Sequence, residues 1–417
     1  GLGYIGLPTA SMFAQNGVRV TGVDANPRVV ESLQQGKVHI HEPGLTEVVT
    51  TVLRDGTLAI ASAPVEADAF IIAVPTPFYD DKKADLSHVR AAAESLVPVL
   101  RRGNLVVLES TSPPLTTQNV LRPILEQSGL NAGEDFLLAY SPERVLPGQI
   151  MKELVENARV IGGINPASAQ AGKDLYLKFV RGEVVLTDAA TSEMVKLMEN
   201  TFRDVNIAVA NEFSRLAERL GVDVWEAIRI ANRHPRVRIL NPGPGVGGHC
   251  ISVDPWFLVE SAPDITHLIR AAREVNDTQP EFVLQSLKTI LPSPQGKRVA
   301  VLGLAYKPDV DDLRETPSLE VVRELVLAGA TVTAWEPYKP DFKAPNMKMA
   351  ASLEEAIQDA DVLLLLVGHS QFKALDPEVV AQKTSARLVL DAVNAWPSQP
   401  WQDAGFTLKK LGNGKPL

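Results

Sequence analysis

Only one cysteine, Cys250, occurs among the 417 residues. That excludes an intramolecular disulfide and a zinc site built on several thiolates, and it makes a reducing, cytoplasmic setting the default. Long apolar runs are also missing. None approaches a membrane span, and 45% hydrophobic with 22% charged residues is the composition of a globular protein in water. Positive charge is in deficit: a formal net charge of −9 and a pI near 5.4 argue against nucleic acid and anionic lipid as partners. No metal is expected. The chain opens at Gly1, already inside a motif, with neither an initiating Met nor a signal peptide, so a strand of several apolar residues is expected upstream.

That first motif, Gly1-Leu-Gly3-Tyr4-Ile5-Gly6, reads GxGxxG and runs into a helical stretch. Val18 to Asp24 then reads as a β-strand ending in an acid, which completes a dinucleotide-binding fingerprint. The glycines let a pyrophosphate reach the helix N-terminus, and the Asp24 carboxylate can accept hydrogen bonds from a ribose diol. Because that carboxylate would repel a 2′-phosphate, NAD is favoured over NADP, with Arg28 the one nearby cation. Strand patterns follow at 69–74, 106–111 and 136–140, each with a helical stretch before it, which is α/β alternation. In an open parallel sheet the carboxyl ends of strands line the ligand crevice. Thr76, Thr111 and Glu143 are site candidates on that ground, although Ser and Thr beside Pro are also ordinary turn residues.

A long helix is expected from about Thr191 to Leu220, capped by Thr191 or Ser192 and ended by Gly221. At roughly 45 Å it suits linking domains or packing on a partner subunit. Lys196 and Asn200 share a face of it, beside Met194, Leu197 and Met198. The basic stretch Arg233 to Arg238, which includes Arg236, then leads into Pro242 to Phe257, where Gly247 and Gly248 precede His249 and Cys250. A lone Cys is most often an inert small hydrophobe. A glycine-rich approach, His249 beside it and Asp254 four residues on describe instead a loop-borne nucleophile. A helix from His267 to Asn276 carries Arg270, Arg273 and Asn276.

Leu291 to Gly296 is a linker by composition, and α/β alternation restarts at Arg298 without GxGxxG. In its place stands a loop from Tyr306 to Arg314, whose Lys307 and Arg314 could hold a diphosphate, Arg314 being also a cofactor candidate. The expected architecture is α/β, with two Rossmann-like parallel-sheet domains joined by a helical central domain with one long helix. Its boundaries are 1–187 for NAD, 188–292 for the helical part with the cysteine loop, and 296–417 for a second nucleotide that is part of the substrate.

With these residues assembled, the chain resembles the UDP-glucose/UDP-mannuronate dehydrogenase family over its whole length. The motifs that carry the likeness are GLGYIGLP at 1–8, SPER at 141–144, the Lys196/Asn200 helix, GPGVGGHCISVDP at 243–255 and GLAYKPDVDDLRETP at 303–317. Within the family it is most similar to the branch acting on UDP-N-acetyl-D-mannosamine, through NRHPRV and PGPGVGGHC, with Val253 where the glucose branch has Lys. The resemblance implies that Cys250 is the nucleophile, and that Lys196, Asn200 and Asp254 handle the C6 oxygen and its protons. It further implies that Glu143 is the base of a hydrolytic step and Thr111 binds water. Arg144, Val145, Gly247 and Lys307 would contact the substrate, and Arg236 would reach a neighbouring subunit's site in a homodimer formed through the long helix. The implied reaction is a four-electron oxidation of a UDP-N-acetylhexosamine by NAD through a thiohemiacetal and a thioester, with the N-acetylglucosamine or glucose nucleotide as alternative substrates. Two other classes share parts of the pattern. A two-electron hydroxyacid dehydrogenase would need neither the thiol nor the second α/β domain, and a non-catalytic nucleotide-sugar sensor would not need Glu143, Lys196, Asn200, Cys250 and Asp254 together.

Overall fold

The structure, a computed structural model, describes residues 1–146, 148–248 and 250–416. It divides into two compact units, Gly1–Glu199 with Trp256–Pro263, and Asn200–Pro255 with Asp264–Leu417.

Among its described residues the first unit holds seven strands: β1 (Val20–Val23), β2 (Leu58–Ala61), β3 (Ala69–Ile72), β4 (Leu105–Leu108), β5 (Leu137–Tyr140), β6 (Arg159–Gly163) and β7 (Val184–Asp188). β1 and β2 pair in parallel, and the rest form a sheet in the order β3-β4-β5-β6-β7. The segments AFII, LVVL and LLAY are apolar at consecutive positions because the sheet is covered on both faces. Val106, Leu108 and Leu138 pack with Val89, Leu121 and Leu125 on one side. Leu105, Val107 and Ala139 pack with Met12, Tyr176 and Phe179 on the other, as the two-residue period of a strand requires.

One pairing departs from the expected parallel sheet. β6 runs antiparallel to β5, with Ala139 opposite Gly163 and Tyr140 opposite Gly162, whereas β6 and β7 are parallel. The helix Ile150–Glu156 between β5 and β6 therefore does not return the chain to the far end of the sheet. β6 starts at the carboxyl end of β5, the end where ligands bind in sheets of this type.

The long helix spans Ala189–Leu220, 32 residues. Its start differs from expectation: the Asp188 carboxylate, not Thr191 or Ser192, supplies the cap, accepting from the Thr191 amide at 2.9 Å and its hydroxyl at 2.6 Å. Gly221 ends the helix at φ +72°.

The second unit carries β8 (Arg298–Leu302), β9 (Thr331–Trp335), β10 (Lys348–Met349), β11 (Val362–Leu365), β12 (Leu388–Asp391) and β13 (Thr407–Lys410). Their order, β10-β9-β8-β11-β12-β13, all parallel, is the doubly wound order of a Rossmann sheet. The helical part of this unit belongs to the same core. Val283, Leu284 and Leu287 of the helix Gln279–Lys288 pack against Val321, Val322 and Leu325 of the helix Pro317–Leu327. The Trp225 indole donates to the Leu411 carbonyl at 2.8 Å, tying the end of β13 to the helix Val224–Ala231. Among the described residues no helix is long and apolar enough to cross a membrane.

Trp396 anchors the other face of this sheet, 1% exposed, stacked on Trp401 at 4.1 Å between ring centroids and donating to the Phe372 carbonyl at 2.7 Å. Trp396→Ala should cost about 3–5 kcal/mol, from lost burial and the cavity left behind. The measurement is the urea midpoint of the second unit's transition, followed by tryptophan fluorescence.

Candidate active site

In the first unit the turn Gly1–Gly6 feeds the helix Gly6–Gln15. A Cβ at Gly1 would stand 2.5 Å from the Ala73 carbonyl oxygen and one at Gly6 would stand 1.8 Å from that of Gly1, so both positions are closed by the protein's own backbone. A Cβ at Gly3 would meet nothing within 4 Å. The space against Gly3 is thus open where a dinucleotide fingerprint brings in its pyrophosphate. Tyr4 is exposed and Ile5 precedes the helix. Asp24, at the end of β1, holds the turn: its carboxylate accepts from the Leu2 amide at 2.7 Å and the Asn26 amide at 2.8 Å. Asn26 caps the next helix by accepting from the Arg28 amide at 3.0 Å, and the Arg28 side chain is exposed. These residues fit a dinucleotide.

The other strand-end candidates of this unit are joined by hydrogen bonds. The Thr76 hydroxyl donates to the Thr111 carbonyl at 2.6 Å, and Ser110 Oγ accepts from the Val74 amide at 2.9 Å, which links the loops after β3 and β4. Glu193 of the long helix anchors the second loop, accepting from the amides of Leu115 at 2.6 Å and Thr117 at 2.8 Å and from the Thr117 hydroxyl at 2.6 Å. Burial pushes its acid up to about 7 against those donors. Glu143 follows β5, largely buried. Its carboxylate accepts from the Arg144 amide at 2.6 Å and from the Arg159 guanidinium. Arg144 also pairs with Glu199 at 2.5 Å, and Val145 packs at the edge of the core. Lys196 is 7% exposed and makes no hydrogen bond or ion pair among the described residues.

In the second unit the structure brings together two motifs that lie far apart in the sequence. The loop before Cys250 packs on the loop after β8. A Cβ at Gly247 would stand 2.5 Å from the Glu315 carbonyl oxygen and 2.9 Å from Tyr306 and Pro317. At Gly248, with φ +84°, it would press on the Tyr306 ring at 3.0 Å. The Gly248 amide donates to the Arg314 carbonyl at 3.2 Å. The far end of the loop is pinned as well: the Gly243 amide donates to Asn211 of the long helix at 3.0 Å, and Asn211 donates to Asn276 at 2.9 Å. Asn276 in turn donates to Asp204 at 2.7 Å, which pairs with buried Arg273 at 2.5 Å.

Cys250 is exposed, and its carbonyl accepts from the amides of Val253 at 3.1 Å and Asp254 at 2.8 Å, so the thiol stands one turn ahead of the helix Asp254–Ser261. Asp254 is buried and accepts from the Asn200 amide group, whose own oxygen accepts from Arg203. Arg203 therefore orients the Asn200 side chain, with its NH₂ toward the carboxylate. Burial pushes the Tyr306 hydroxyl up, with negative charge at Asp312 and Cys250 adding to the effect. Arg314 forks onto Asp312 at 2.8 and 2.7 Å, Lys307 is exposed, and Arg236 is exposed without an ion pair among the described residues. His249 lies outside the described residues.

Sequence reasoning missed Arg159, Glu109 and Tyr176 behind Glu143, Arg203 beside Asn200, and Tyr306 under the cysteine loop. Of these, Tyr306 alone had a signal, its place in the motif already singled out. Arg159 begins an apolar strand and reads there as an exposed strand end.

Models of the UDP-glucose/GDP-mannose dehydrogenase family match the chain in three consecutive stretches: the NAD binding domain at 1–180, the central domain at 190–278 and the UDP binding domain at 300–398. The chain is 46% identical to a UDP-N-acetyl-D-mannosamine dehydrogenase of Methanococcus maripaludis, over 99% of this chain and 96% of the relative. It is 47% identical to an NDP-N-acetyl-D-galactosaminuronic acid dehydrogenase of Ralstonia nicotianae, over 96% of each. The solved structure of a UDP-D-ManNAc dehydrogenase from Pyrococcus horikoshii aligns with a TM-score of 0.91 at 40% identity, covering 100% of this chain and 99% of that one. Matched from end to end in this way, the chain belongs to the UDP-glucose/GDP-mannose dehydrogenase family, whose first domain binds NAD.

Since the protein itself does not crowd a Cβ at Gly3, Gly3→Ala should fold with an unchanged apo melting temperature. It should nevertheless bind NAD+ at least about tenfold more weakly, because the methyl occupies the approach to the pyrophosphate. Fluorescence titration of NADH beside a thermal melt separates the two effects, and equal affinity would move the pyrophosphate elsewhere.

Proposed function

We propose that this protein oxidises the C6 hydroxyl of UDP-N-acetyl-D-mannosamine to a carboxylate, a four-electron reaction that yields UDP-N-acetyl-D-mannosaminuronate. The observation that carries the reading is the exposed Cys250 thiol on a loop braced by the first loop of a second Rossmann sheet. An alcohol becomes an acid only through an aldehyde, and a thiol that captures the aldehyde keeps both oxidations at one site. NAD+, when bound, accepts one hydride in each oxidation. Lys196, or a water held by Asp254, takes the hydroxyl proton in the first. Cys250 then bonds to the aldehyde carbon, and the Lys196 ammonium with the Asn200 amide stabilises the oxyanion. After the second hydride leaves, a water activated by Glu143 breaks the thioester. Arg203 supports this assignment by fixing the Asn200 amide, as does the buried carboxylate of Asp254.

The proposed division of labour is 1–187 for NAD, with Asp24 on the ribose, 188–292 for the catalytic helix and cysteine loop, and 296–417 for the UDP moiety, held by Lys307. A reducing cytoplasm would keep the thiol competent. A non-catalytic sensor would have no use for an exposed thiol so closely braced. Relatives at 46 and 47% identity are named for N-acetylated sugars of two configurations, so the shared acetamido group is the firmest part of the substrate reading. Val253, where a lysine would mark the glucose branch, is 5% exposed.

We further propose a homodimer through the long helix, with Arg236 reaching the partner's site. Phe202, Val209 and Leu216 repeat at heptad spacing, with Phe213 and Leu220 on the adjoining row, and all five are exposed in the protomer.

Limiting UDP-ManNAc should yield two NADH per sugar. Its kcat/KM should exceed that of the N-acetylglucosamine and N-acetylgalactosamine nucleotides, and should exceed that of UDP-glucose by on the order of 10⁴, since a site that hydrogen-bonds the acetamido group leaves polar groups unpaired without it. One NADH with free aldehyde would overturn the thioester route, and a lead by UDP-glucose would overturn the branch. For the dimer, Phe213→Asp with Leu216→Asp should halve the mass seen by light scattering while far-UV circular dichroism is kept.

A further inference from the structure

Behind Glu143 lies a buried charge cluster that the proposed reaction does not use. The antiparallel register of β5 and β6, continued from Tyr140 to Glu143 and from Gly162 back to Arg159, sets Arg159 opposite Glu143. The Arg159 guanidinium is 5% exposed and lies over the Tyr176 ring at 4.1 Å. Its Nη2 donates to Glu143, and its Nη1 donates to Glu109 Oε1 and Ser141 Oγ, each at 3.1 Å. Tyr176 donates to the same Glu109 oxygen at 2.9 Å, while Glu109 Oε2 is buried without a partner among the described residues. One guanidinium thus faces two carboxylates away from water, and both can be ionised only at a cost. The two acids are unequal: Glu143 also has the Arg144 amide, whereas Glu109 is wholly enclosed. Burial pushes Glu109 up to about 7, with Arg159 opposing the shift and Glu143 adding to it. The charged and titratable groups facing Glu109 are Arg159, Glu143 and Tyr176.

We propose that Arg159 is a positioning residue that aims Glu143 in thioester hydrolysis, and that Glu109 acts on Glu143 by competing for the same guanidinium. The inference rests on the reading of Glu143 as the base of that step. There, an O–H bond of water breaks and its proton passes to Glu143. The oxygen bonds to the thioester carbon, and the C–S bond breaks to return Cys250 as thiolate. Glu143 then gives the proton to solvent. With Glu109 neutral, the whole guanidinium is committed to the Glu143 carboxylate. With Glu109 ionised, the cation is divided between two carboxylates, which loosens its hold on the Glu143 oxygen that takes the proton of water. Hydrolysis therefore accelerates as pH rises through the ionisation of Glu109.

The test is rapid-quench mass spectrometry of the Cys250 acyl adduct, with NADH formation followed in parallel, from about pH 6 to about pH 9. In Glu143→Gln the adduct should accumulate. In Arg159→Lys, whose ammonium reaches one carboxylate at a time, adduct decay should slow about tenfold or more while hydride transfer stays within about twofold. In Glu109→Gln decay should no longer rise through neutral pH, whereas wild type should. Glutamine keeps the shape and an acceptor for Tyr176 and Arg159, so this variant carries the test even if Arg159→Lys does not fold. Wild-type decay and pH dependence in Glu109→Gln, alongside accumulation in Glu143→Gln, would overturn the inference alone. No adduct in Glu143→Gln would overturn the assignment of Glu143, and this inference with it.

Discussion

Two backbones must touch for the thiol of this enzyme to be held, and only glycine allows it. Gly247 lies so close to Glu315, Pro317 and Tyr306 that any Cβ would force one loop away from the other. The consequence reaches Cys250, because the loop is clamped at Gly248 by Arg314 and at Gly243 by Asn211 of the long helix. Each hydrogen bond contributes only about 1 kcal/mol net, but together they leave the cysteine loop one position relative to the sheet that begins with β8. Asn200 and Asp254 belong to the same arrangement, the amide oriented by Arg203 from one side and the carboxylate from the other.

The two Rossmann sheets use one device for opposite ends. In the first unit Asp24, after β1, accepts from the Leu2 amide and stays only half buried. In the second, Glu336 after β9 accepts from the amides of Leu304 at 2.7 Å and Ala305 at 2.9 Å and is fully buried. His369 closes over it, with Nε2 at 3.1 Å from Glu336 and Nδ1 accepting from the Asp309 amide at 2.8 Å. Ala305 stands where the first turn has Gly3, so this turn does not repeat the GxG approach. The second sheet keeps the architecture of a nucleotide fold and spends its strand-end acid on fixing the Lys307 loop.

Much of the candidate site was legible because its chemistry is written locally. The GxGxxG turn with Asp24 is a short-range pattern, and the glycines before Cys250 announce a close approach even when the partner surface is unknown. The α/β alternation expected to restart at Arg298 does so there, with β8 beginning at that residue. The cap of the long helix was misjudged by a few residues, since Asp188 ends a strand and caps a helix at once. Neither role is visible without the other.

What the sequence by itself determined are the properties that depend on neighbours along the chain: two α/β sheets, a long helix ending at Leu220, a dinucleotide turn and a cysteine on a glycine loop. The direction of β6 depends on where a connection returns across space, and apolar residues pair as well in parallel as antiparallel. Arg159 is charged in any strand, yet only the antiparallel register with β5 places it between Glu109 and Glu143, sealed under Tyr176. The meeting of the Gly247 loop with Tyr306 is likewise set by packing, because the two segments are joined through a helix core whose contacts no local pattern encodes. Tertiary structure decided these pairings, since the free energy of a buried charge or of two touching backbones is defined only by what lies opposite.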